Sequence, residues 1–144
     1  MNKTVKFLLS VSILSFAVCA NAAVKKYENG KIPFSLDIPD GWTEQALDGG
    51  VMLIAPDKKS TFTIASVPAD GLDSKTFAEG TAKEAKFKDP KIDCDEDGCS
   101  IIGTIQNVNV KTVISVDKPS DAVLVISMSG DNPEGFTKIL DTLQ

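Results

Sequence analysis

One run of helical periodicity, from Lys75 to Lys88, lies between two blocks of short alternating segments, and that order restricts the fold more than any other feature. Phe77, Ala78, Thr81, Ala82 and Ala85 fall on one helical face. Asp73 or Ser74 can cap the start, and Lys83, Lys86 and Lys88 suit the negative end of the helix dipole. Gly80 weakens the helix, and Asp89-Pro90 is expected to stop it. Before it, "FSLDI" sets Phe34, Leu36 and Ile38 against Ser35 and Asp37, as a half-buried strand does, and "PDG" at 39–41 turns the chain before Trp42. "WTEQAL", the Asp-Gly step at 48–49 and "VMLIA" read as a hairpin, and "PDKKS" turns into a further strand, "TFTIASV". After the helix come "SIIGTIQ", "VNVKTVISV" and "DAVLVISMS", divided by turns at "QNVN" and "DKPSD". A last helix starts at "DNPEG", with Asn132 as cap and Pro133 at its first position, and Phe136, Ile139, Leu140 and Leu143 make its apolar stripe. Strands, helix, strands, helix with short turns predict an α+β domain, with a mainly antiparallel sheet of about seven strands flanked by helices.

The N-terminus sets the compartment in which the cysteines are read. Lys3 and Lys6 precede the apolar run "FLLSVSILSFAVC", and "ANA" ends at Ala22, the pattern of a secretory signal peptide cleaved between Ala22 and Ala23. The expected product is one domain over 23–144, periplasmic or secreted. No later stretch approaches the roughly 18 to 20 apolar residues that a membrane span needs. Lipidation at Cys19 is disfavoured, because Phe16 and Val18 stand where lipoprotein sites carry Leu and a small residue.

Composition then excludes several kinds of chemistry. All 15 basic residues are lysines, and two leave with the signal, so 13 lysines face 20 acids for a net charge of −7. Without arginine or a basic stripe, nucleic acid is not expected as a partner. The chain has no histidine, which removes the usual general base, His-ligated zinc, and Ser-His or Cys-His nucleophiles. Ser115 and Lys118 stand in a Ser-x-x-Lys spacing, but Pro119 and the β-branched residues before Ser115 place them at a strand end, not at the helix start that chemistry needs. No catalytic residue is assigned, and the chain is not expected to be an enzyme.

The most explicit chemistry is "IDCDEDGCS" at 92–100. Asp93, Asp95, Asp97 and Gly98 fit the first half of a calcium loop, but the position of its bidentate Glu is held by Thr104, and a strand follows where that motif needs a helix. Weak calcium binding, on the order of millimolar, stays open as a minority reading, with no other cofactor expected. Cys94 and Cys99 are the only cysteines left after cleavage. In an oxidising compartment a disulfide across the Asp-Gly turn is the better reading, worth roughly 2 kcal/mol for so short a loop. Trp42, Tyr27 and the phenylalanines read as core or core-edge residues.

"NGKIPFSLDIPDGW", the alternating middle and the helix ending "FTKILDTLQ" resemble the PsbP-like superfamily and, within it, the bacterial periplasmic DcrB-like proteins. The resemblance implies an α/β/α sandwich and an accessory role, as in a photosystem II extrinsic subunit, a Ran-binding import factor and envelope proteins linked to phage uptake. It supplies no catalytic residue, and "CDEDGC" is not part of its pattern. The resulting expectation is a monomeric, non-enzymatic accessory or binding protein acting through an envelope protein partner. A small-molecule or lipid carrier and a calcium module are the alternatives, and an inhibitor or immunity protein is a special case.

Overall fold

A computed structural model describes residues 24–144 and contains nine strands and two helices, with Lys25–Tyr27 and Lys88–Cys94 added to the seven strands read from the sequence. The expected signal peptide, Cys19 and the Ala22–Ala23 cleavage step lie outside the described residues. A short antiparallel pair, β1 (Lys25–Tyr27) and β2 (Phe34–Leu36), stands apart from the main sheet. There follow β3 (Thr43–Leu47), β4 (Gly50–Ile54), β5 (Thr61–Pro68), helix α1 (Ser74–Glu84), β6 (Lys88–Cys94), β7 (Cys99–Ile105), β8 (Val108–Asp117), β9 (Ala122–Ser129) and helix α2 (Pro133–Leu140). The seven-stranded sheet has the order β3-β4-β5-β9-β8-β7-β6 and is antiparallel throughout. Two meanders are therefore joined by α1, and β9 closes the sheet by pairing with β5 along its whole length. The apolar run "AVLVISM" suits that central place, because both of its faces are covered.

Register assigns the two helices to opposite faces. Residues paired across strands share a face, and one step along a strand changes it. Leu53, Phe62 and Met128 are in one cross-strand row and Val51, Ile64 and Ile126 in another; these pack against Phe136 and Ile139 of α2 and Tyr27, Phe34 and Leu36 of the small sheet. Ile101, Ile114 and Val123 face the other way and pack against Ala78 and Ala82 of α1. On β8 the neighbours Val113 and Ile114 contribute to different cores. The small alanines let α1 lie close on the sheet. No helix among the described residues is long and apolar enough to cross a membrane.

Three local outcomes differ from the sequence reading. "FSLDI" supplies β2 of the small sheet, and the seventh strand of the large one is β6, from residues read as the end of α1 and its stop. Pro90 is tolerated there because β6 is an edge strand with a register shift between Lys88 and Lys91, so no ladder N–H is missed. Helix α1 ends at Glu84 because Lys86 adopts φ 58°, with Phe87 N–H donating to Ala82 O (3.0 Å) and Lys86 N–H to Lys83 O (3.2 Å). These are the two bonds of a Schellman cap, built here on lysine. Leu140, expected in the apolar stripe of α2, is exposed, while Phe136 and Ile139 are buried and Leu143 packs at the core edge.

Candidate functional site

A solvent-open cleft forms where the β2–β3 connection meets α2. Pro39, Asp40 and Gly41 turn the chain tightly, with Gly41 at φ 82° and Trp42 N–H donating to Pro39 O (3.1 Å). That turn sends Trp42 back against the first turn of α2, its ring edge-on to Phe136 at 6.3 Å between centroids. Asn132 caps the helix, its Oδ1 accepting from Gly135 N–H at 3.0 Å. Gly135 is required at this approach: a Cβ there would lie 2.6 Å from Trp42 Cζ2 and 2.8 Å from Asn132 Oδ1. Beyond α2, Thr142 Oγ1 accepts from Asp37 N–H (2.9 Å), and Ser35 and Gln144 exchange backbone bonds of 2.9 and 3.0 Å. The connection and the helix are thus held at two points, and the space between them has a volume of about 630 Å³.

The cleft is acidic with an aromatic and proline wall. Asp37, Asp40 and Glu134 line it together with Lys138, Trp42, Pro39 and Pro56. Lys138 Nζ lies 3.2 Å from Glu134 Oε1 one helical turn away, so its charge is spoken for and Asp37 and Asp40 leave a net −2. Asp37 Oδ1 is sealed from solvent and accepts no hydrogen bond; among the described residues, Asn29 Oδ1 is the other side-chain oxygen in this condition. A carboxylate oxygen held out of water without a donor costs free energy.

The acidic turn takes a different form from a metal loop. Cys94 and Cys99 face each other directly at the end of the β6–β7 hairpin, Cα atoms 4.1 Å apart, with their sulfurs at disulfide distance. Asp95 N–H to Gly98 O (2.9 Å) closes the turn, which makes the cysteines the next, more closely spaced pair. Asp95 Oδ1 is consumed by the turn itself, accepting from Asp97 N–H (2.9 Å) and Gly98 N–H (3.1 Å). Asp97 O accepts from Ser115 Oγ at 3.0 Å, and Asp93 is paired with Ser100 in the sheet. Asp93, Asp95 and Asp97 are not drawn together: among the described residues no three His, Cys, Asp or Glu side chains converge as metal ligands. Ser115 lies within β8, as its β-branched neighbours require, and not at a helix start.

A second acid, half-buried like Asp37, was not foreseen. Glu44 lies on the core-facing side of edge strand β3, where it accepts from the Tyr27 hydroxyl and stands 3.6 Å from Lys25 Nζ. Burial, reinforced by the hydrogen bond and the charge of Glu44, pushes the Tyr27 phenol far above its ordinary range, so it holds its proton. Tyr27 also stacks on its cross-strand partner Phe34 at 5.0 Å, while the contacts of Tyr27 and Lys25 with Glu44 clasp the small sheet to the large one.

No family model matches the chain, and no curated protein matches it. Among solved structures it is similar to a crystal structure from Bacteroides thetaiotaomicron VPI-5482, at 16% identity and a TM-score of 0.43, over 83% of this chain and 47% of that one. The chain therefore spans about half the length of that structure.

Proposed function

We propose that this is a non-enzymatic binding protein of the bacterial cell envelope that acts through a protein partner, engaged at the cleft between the 37–42 connection and α2. The cleft carries the reading: it is open, large enough for a side chain or short segment, and carries uncompensated charge on a rigid support. The signal-like N-terminus and the cysteine pair support an oxidising compartment outside the cytoplasm. The resemblance of the "PFSLDIPDGW" opening and the terminal helix to PsbP-like accessory proteins agrees with a role without turnover, as does a sequence lacking both His and Arg.

The test is in-cell cross-linking of the tagged protein in its native envelope, with mass spectrometry of what is retained. A near-stoichiometric partner is expected, lost when the exposed acids are reversed in Asp40→Lys/Glu134→Lys and retained in Asp95→Asn/Asp97→Asn. Recovery of the protein alone, or a partner indifferent to the cleft reversal, would overturn the reading.

A further inference from the structure

We infer that the Cys94–Cys99 bridge is a one-sided site of thiol–disulfide exchange: only the Cys94 sulfur is open to attack, and the thiols it accepts are uncharged or cationic. The inference is independent of the cleft and rests on the two cysteines being joined.

A thiolate attacks a disulfide in line with the S–S bond and forms a mixed disulfide. The bridge links directly opposed residues of β6 and β7, so that line runs across the strands. Beyond Cys94 it leaves the sheet, because β6 is an edge strand and Cys94 is exposed. Beyond Cys99 it runs toward β8, where Ile114 is paired with Cys99 and fully buried. Cys99 itself is 4% exposed and packs among Ile101, Ile114, Val123 and the α1 alanines, so the space behind its sulfur is filled by protein. The incoming thiolate therefore bonds to Cys94 Sγ as the S–S bond breaks, and the electron pair leaves on Cys99 Sγ, which takes a proton from water. The incoming sulfur is oxidised into the mixed disulfide and Cys99 is reduced. An apolar lining disfavours the negative charge that forms on Cys99, which makes it a poor leaving group and the opening slow.

Charge then selects the thiol. Asp93, Asp95, Glu96 and Asp97 are all exposed beside Cys94, and residues 93–100 hold no lysine. Lys91 lies three steps back along β6, on the opposite face of the strand from Cys94. The bonds that Asp95 Oδ1 accepts from Asp97 and Gly98 N–H fix the turn, so these acids stay near the bridge. A thiolate that carries further carboxylates, as glutathione does, is repelled, whereas an ammonium beside the sulfur offsets the repulsion.

The test treats the purified protein, its bridge verified by intact mass, with cysteamine, mercaptoethanol or glutathione. Each rate is divided by the rate of the same thiol on hydroxyethyl disulfide, an uncharged reference, and acid quenching with fragment mass spectrometry locates the adduct. The adduct is expected on Cys94. Normalised rates should fall in the order cysteamine, mercaptoethanol, glutathione, with the first and last at least severalfold apart at low ionic strength. They should draw together in about 1 M salt, where screening acts within about 3 Å. Asp93→Asn/Glu96→Gln, which leaves the turn bonds of Asp95 in place, should narrow the spread, with circular dichroism verifying the fold. An adduct on Cys99, equal normalised rates for the three thiols, or a spread indifferent to salt or to the variant would overturn the inference. So would opening at one rate set by unfolding, or an untreated protein whose mass shows two free thiols.

Discussion

Replacing glycine by alanine should have opposite signs in the two helices. In the interior of an exposed helix the change stabilises by roughly 0.5–1 kcal/mol, because alanine has less backbone freedom to lose and loses no side-chain rotamers. Gly80 in α1 meets this condition: it is exposed, and a Cβ there would find no atom within 4 Å. Gly135 in the first turn of α2 does not, since its Cβ would stand 2.6 Å from Trp42 Cζ2. Carbon atoms rest about 3.5–4.0 Å apart, so the indole must withdraw by about 1 Å. It is backed by Phe136, and the other close neighbour, Asn132 Oδ1, is engaged in the helix cap. Overpacking of this kind costs about 1–3 kcal/mol, which exceeds the propensity gain and leaves a net loss of about 1–2 kcal/mol. Urea unfolding followed by far-ultraviolet circular dichroism should therefore separate Gly80→Ala from Gly135→Ala by about 2 kcal/mol, with wild type between them. Gly135→Ala should also change the Trp42 emission of the folded protein. A Gly135→Ala variant as stable as wild type, with unchanged emission, would refute the argument that glycine is there to admit the indole.

Three further perturbations address other parts of the structure. Lys86→Gly should stabilise by up to about 1 kcal/mol in the same unfolding assay, because glycine adopts the left-handed cap conformation without a Cβ penalty. Below the ordinary phenol value of 10.0 both folded and unfolded chains keep the Tyr27 proton; above it the unfolded chain releases the proton while burial and Glu44 retain it in the folded one. Stability should fall by about 1.4 kcal/mol per pH unit through that alkaline window, and Tyr27→Phe should remove this slope while losing about 1 kcal/mol at neutral pH. Cys94→Ser/Cys99→Ser should lower stability by about 2 kcal/mol, and intact mass before and after reduction should differ by about two hydrogens in the wild type and not in the variant.

Local chemistry made much of this protein legible from its residues alone. The strand runs, the hairpin turns, the Asp73 and Asn132 caps and the Cys94–Cys99 pairing depend on residues within a few positions of one another, where periodicity and turn preference act directly. Beta strand β6 escaped because its Asp-Pro step is a stop signal in the helix frame, and only its place at the sheet edge removes the penalty for the missing N–H. The cleft escaped for a stronger reason. "PDGW" and "DNPEG" each announce a turn or a cap, yet some 90 positions separate Trp42 from Gly135, and nothing in either motif says that the indole will rest on that glycine. Likewise Glu44 has the alternation of a solvent-facing residue until β1 and β2 cover its side of the sheet. The amino-acid sequence by itself determined most of the strands, the starts of both helices and the disulfide-spaced turn, because those free energies are local. Only the tertiary structure decided which faces α1 and α2 cover and which polar atoms lose their water, Asp37 Oδ1 among them, because burial is a property of what the rest of the chain brings alongside.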